Sequence, residues 1–116
     1  FIPAIVDLAP FRQKAVLHIL DGVKGVYHGG PSARPGYIWE HKTMYFATDP
    51  VAVDKVGWKA LDEKRREMGL APVALSKPDK VSTRLNCQPE HIEIAASLGL
   101  GVFDDTKIDL RTIEVA

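Results

Sequence analysis

Hydrophobic positions along this chain switch between short β-rich runs and longer stripes at helical spacing. Ile2, Ile5, Val6 and Ala9 follow helical spacing and Pro3 suits a first helical turn, so a short helix over Pro3–Ala9, stopped by Pro10, is expected. Ala15–Leu20 is apolar apart from His18 and closes at Asp21-Gly22 like a turn, the pattern of a short buried strand. Val23–Gly36 then holds Gly25, Gly29, Gly30, Pro31, Ser32, Pro35 and Gly36, and loops this long inside a domain are often functional. Tyr37–Thr48 is aromatic and β-rich, predicting a strand that bends or pairs with itself around Glu40–Lys42.

Asp49-Pro50 opens a helix, with Asp49 as N-cap and Pro50 at the first helical position. Its stripe of Val53, Val56, Gly57, Ala60, Leu61 and Met68 runs until Gly69, and Lys55, Lys59, Asp62, Glu63, Arg65, Arg66 and Glu67 form its solvated face. After an irregular stretch over Ala71–Gln88, Pro89 starts a second helix with Ile92, Ala95, Ala96 and Leu98 inward. Gly99 followed by Leu100 suits a Schellman end. Lys107–Val115 alternates through Ile108 and Leu110 and then changes phase to Ile113 and Val115, predicting one or two short strands with a bulge near Arg111. The expected fold is a small α/β domain: a mixed or parallel sheet from Ala15–Leu20, Thr43–Ala47 and Lys107–Val115, covered by two main helices.

Composition narrows the function. With 46% hydrophobic and 26% charged residues, the chain belongs to the soluble globular class. Fifteen basic side chains balance 15 acidic ones, which argues against nucleic acid as partner, and the apolar runs are too short to span a membrane. Cys87 is the single cysteine, so the chain holds no ligand set for an iron–sulfur cluster and no internal disulfide. The first residue is Phe1, without a signal peptide pattern, which suggests a piece of something longer. Its sheet edges and apolar content then call for a partner: the missing N-terminal part of the same protein, or a second copy.

Leu17-His18-Ile19-Leu20-Asp21-Gly22, a Gly29-Gly30-Pro31 loop and Phe46-Ala47-Thr48-Asp49-Pro50-Val51-Ala52-Val53-Asp54-Lys55-Val56-Gly57 resemble the C-terminal part of the domain of unknown function 362 family. Pro89-Glu90-His91-Ile92 and Leu98-Gly99-Leu100-Gly101 resemble that family's closing helix. The resemblance implies the C-terminal portion of a longer, bacterial-type protein, in some members joined to iron–sulfur segments and so redox-linked. The family has no settled activity. This chain departs from it where an acidic residue and an Asn often precede the Gly-Pro; Tyr27-His28-Gly29 stand there instead, and a role resting on that acid or Asn does not carry over. The longer Ala71–Asn86 stretch resembles an exported subgroup, so both a cytoplasmic and an exported location stay open.

Five residues are candidates for ligand binding: Asp21, Gly29, Gly30, Asp49 and Asp54. Capping alone explains Asp49, and turn chemistry explains Asp21. Asp54 lies beside the apolar stripe, is expected to be at least half-buried, and must find either hydrogen bonds or a cation there. If the two main strands are parallel, Asp21, Asp49 and Asp54 converge beside the glycine loop, where oxygen ligands could hold a divalent cation. If they are antiparallel, Asp21 stands far from Asp49. The glycine loop could wrap backbone amides around an anion, although P-loop and dinucleotide spacings are lacking. His18 reads as a core residue; His28 and His41 read as surface-loop residues. The function classes left are a ligand- or cation-binding module and a structural half-domain without a site of its own.

Overall fold

In the computed structural model, which describes residues 1–83 and 89–116, the chain forms a small α/β domain. Cys87 lies outside the described residues. Two short helices, α1 (Ile2–Val6) and α2 (Ala9–Lys14), lead into strands β1 (His18–Val26) and β2 (Ile38–Ala47), then helices α3 (Pro50–Glu67) and α4 (Glu90–Ser97). Pro10 does not stop a helix; it occupies the first turn of α2, where its missing amide costs nothing. Arg12 fastens α2 by donating to Leu98 O at the end of α4 (2.7 Å).

The strands run antiparallel, with His18 opposite Ala47 and Val26 opposite Ile38, rather than in the mixed or parallel sheet expected. Asp21-Gly22 is not a turn but the middle of β1, opposite Met44 and Thr43. The bend expected near Glu40–Lys42 is a β-bulge: Val23 alone faces His41 and Lys42, and Lys42 takes φ 55 to accommodate it. Burial along β2 alternates without a break, putting Trp39, His41, Thr43, Tyr45 and Ala47 on one face and Ile38, Glu40, Lys42, Met44 and Phe46 on the other.

Helix α3 crosses the first of these faces, and Gly57 makes that approach possible, because a Cβ there would stand 2.5 Å from Leu20 Cδ2. Both main helices end as expected. Gly69 (φ 71) and Leu70 donate to Arg66 O and Arg65 O, and Gly99 (φ 72) and Leu100 to Ala96 O and Ala95 O, which makes two Schellman motifs. The strand expected over Lys107–Val115 is absent; only a turn of 3-10 helix, Asp105–Lys107, forms there. The change of phase leaves no alternating face long enough to bury, and Ile113 and Val115 are 86% and 92% exposed. Among the described residues no helix is long and apolar enough to cross a membrane.

Candidate functional site

Packing α3 across the hairpin leaves an open groove of about 510 Å³ between the inner sheet face, α3 and the start of α4. Aromatic rings wall it: Trp39, His41 and Tyr45 from β2 and Trp58 from α3. The three rings of β2 line up because side chains two apart on a strand share a face. Trp39 and His41 centroids are 5.7 Å apart, His41 and Tyr45 5.8 Å, and the His41 ring nitrogen pairs with the Tyr45 hydroxyl. Gly25, the cross-strand partner of Trp39, has no side chain because the indole lies over it; a Cβ would overlap the ring. Burial, then the charge of Glu63, pushes the Tyr45 phenol above its usual range.

Asp54 stands at the mouth of this groove. It is exposed, not half-buried as expected, and it accepts no hydrogen bond among the described residues. The stripe that faces the sheet is centred on Val53 and Gly57, which turns Asp54 toward solvent across the groove's rim. Enough protein still surrounds the carboxyl to push it above the usual carboxylate range by desolvation, with His91 and His18 pulling it back down. Asp21 borders the same groove but is exposed, its Oδ1 accepting from Val23 N (2.9 Å).

Asp49 belongs elsewhere. Its Oδ1 accepts from Val51 N (2.9 Å) and Ala52 N (2.8 Å), and its Oδ2 accepts from Val102 N (2.8 Å). Gly101 yields the space, since a Cβ there would overlap the carboxylate. Asp49 is thus a cap that also ties the segment after α4 to α3. Because the strands are antiparallel, Asp21, Asp49 and Asp54 do not assemble into a cation site, and among the described residues no three His, Cys, Asp or Glu side chains come together as metal ligands.

The glycine loop borders a second, smaller cleft of about 160 Å³. Gly29 (φ 74) is buried there against Val81, and a Cβ would meet Val81 Cγ1 at 2.8 Å, so both conformation and space demand glycine. His28, read from sequence as a surface residue, is buried, and its Nε2 sits 2.8 Å from Asp79 Oδ2. Asp79 accepts from Val81 N and Ser82 N, which with the His28 contact holds its carboxyl below the usual range. Arg65, placed by its charge on the solvated face of α3, is only 6% exposed; its Nε donates to Ala71 O (2.7 Å) and its Nη1 to Tyr27 O (2.8 Å). The spacing held the signal: Val53, Gly57, Leu61 and Arg65 are four apart, on one helical row.

Comparison with protein-family models, with curated proteins and with solved structures finds no match.

Proposed function

We propose that the chain is a ligand-binding α/β module whose groove takes a small molecule with a flat apolar body and a cationic or hydrogen-bond-donating end. One observation carries this reading: an aromatic-walled groove of about 510 Å³ with an unpartnered carboxylate, Asp54, at its mouth. Sites for small molecules are mostly apolar clefts of this size with a few polar groups that fix orientation. The ligand body would stack between Trp39, Tyr45 and Trp58, and its donor would reach Asp54. A cation there relieves the cost of a partly desolvated carboxylate and is attracted by the rings as well. The resemblance to the domain of unknown function 362 family supports placing this module in the C-terminal part of a larger protein. With one cysteine here, any iron–sulfur partner would come from outside these residues.

Phenethylamine, phenethyl alcohol and phenylacetate share one body and differ in charge, so titrating each against tryptophan emission tests the idea. The amine should bind tightest and phenylacetate weakest, and Asp54→Asn should remove the preference for the amine. Equal affinity of all three, or a preference that survives Asp54→Asn, would sink this reading.

A second reading, a half-domain completed by a partner, is favoured by surface area. The chain of 12.8 kDa exposes 8532 Å², roughly a third more than the ~6,300 Å² usual for a folded monomer of that mass. The two readings are compatible, because the groove lies on the inner sheet face and most of the exposed apolar residues of the hairpin lie on the outer one.

A further inference from the structure

Arg65 is a buried guanidinium without a carboxylate. No Asp, Glu or chain terminus lies within 4.0 Å of it among the described residues, and the five others, 84–88, include no acidic side chain. A buried charge is ordinarily paired, because removing it from water costs several kcal/mol. Two of its five N–H groups are used, on Ala71 O and Tyr27 O. Nη2 makes no hydrogen bond among the described residues. It is not sealed in either, since Trp58 Nε1 is the one fully buried, unsatisfied side-chain atom among them. Nη2 therefore keeps accessible surface, and the space Arg65 borders is the cleft beside the glycine loop.

The rest of that cleft suits a negative charge. Lys77 stands on its rim, Ser82 brings a hydroxyl, and Gly29-Gly30 present backbone without side chains, while the Ser76 hydroxyl is spent on Val73 O (2.7 Å). The nearby carboxylate, Asp79, is already occupied by Val81 N, Ser82 N and His28 Nε2. Asp62, on the neighbouring turn of α3, is turned to Val73 N (2.7 Å). At about 160 Å³ the cleft is too small for most whole ligands and large enough for a compact anion. We propose that it is an oxyanion site, with the Arg65 guanidinium as its main ligand, taking phosphate or carboxylate, free or as the end group of a larger molecule. This site is separate from the aromatic groove and does not depend on it.

Nuclear magnetic resonance on the full chain, labelled with nitrogen-15, reads the site directly. Inorganic phosphate and acetate are titrated separately at constant ionic strength, with chloride as the balancing salt. The Gly29 and Gly30 amides and Arg65 Nε should shift saturably with at least one of the two anions; which one responds identifies the oxyanion. Lys77→Ala is exposed and leaves the fold intact, and it should weaken binding several-fold, up to about fivefold, as for an exposed ion pair. Arg65→Lys keeps the charge but loses the planar fork and should weaken it by about tenfold or more. If Arg65→Lys fails to fold, Lys77→Ala still decides. Shifts that match those with chloride alone, or an affinity unchanged in Lys77→Ala, would overturn the proposal.

Discussion

Asp54 and Asp49 are five residues apart and stand in opposite situations. Asp49 spends both oxygens, on two amides of α3 and on Val102 N. Replacing it by Ala removes a helix cap and a tertiary tether together, and should cost about 2–3 kcal/mol in denaturant unfolding. Asp49→Asn keeps one accepting oxygen but turns an amide donor toward a donor, so it should fall between Ala and the parent. Equal loss for both variants would mean that the cap contributes nothing beyond the tether, and an Asn variant as stable as the parent would mean that the tether contributes nothing. Asp54 has no such bonds, and its carboxyl is raised, above all by desolvation. A folded-state value above the unfolded one means the native state binds the extra proton, so this group's contribution to stability falls as pH rises through that window. At neutral pH its charged form is a small burden. Asp54→Asn should therefore be neutral or stabilising by up to about 0.5 kcal/mol near pH 7. The gain should fade as pH drops below the ordinary carboxylate range, where the parent is protonated in both states. Chemical denaturation at several pH values checks this, and a loss of stability at neutral pH would contradict it.

At the scale of elements, the helices were legible and the sheet was not, for physical reasons that particular residues make plain. Caps and stops are local: Asp49-Pro50, Gly69 and Gly99 announce the ends of α3 and α4 because the unpaired backbone groups there are met by side chains or turns a few residues away. Strand pairing is not local. Asp21-Gly22 has turn chemistry, yet Thr43 and Met44 across the ladder make it strand. Lys107–Val115 has β-rich residues but finds no neighbour to pair with among the described residues. The candidate site was legible in part. Asp54 and the glycine loop each border a cleft, whereas Arg65 and His28 were hidden because their charge and polarity suggested solvent while their positions put them inside. The cross-strand pair Gly25–Trp39 is testable at this scale. Gly25→Ala must push the indole off the strand, an overpacking that should cost about 1–3 kcal/mol. It should also alter the near-ultraviolet circular dichroism of the groove. The parent spectrum and stability in that variant would show that Trp39 can move aside freely.

For the whole molecule, the question is what covers the surface that folding leaves open. The radius of gyration is 15.0 Å, against about 13 Å for a compact chain of this length. Only Tyr27, Val51, Val53 and Ile92 are buried hydrophobics among the described residues. The open apolar area is concentrated on the outer face of the hairpin: Phe46 is 64% and its cross-strand partner Ile19 57% exposed, with Met44 and Val23 beside them. A two-stranded ribbon is marginal alone, and both of its outer edges keep unpaired backbone groups. Burying this face against another chain or another part of the same protein would add apolar contact at about 25 cal/mol per Å² and pair the edges as well. Phe46→Lys tests it. Within the chain by itself Phe46 touches little, so the substitution should change unfolding free energy by no more than about 0.5 kcal/mol. If the face is covered in the assembled protein, the same substitution should lower the mass seen by sedimentation at high concentration, or reduce the thermal stability of the longer protein well beyond that limit. A parent that stays monomeric at every concentration, in a longer protein whose stability ignores Phe46→Lys, would leave the outer face without a partner and the half-domain reading without support.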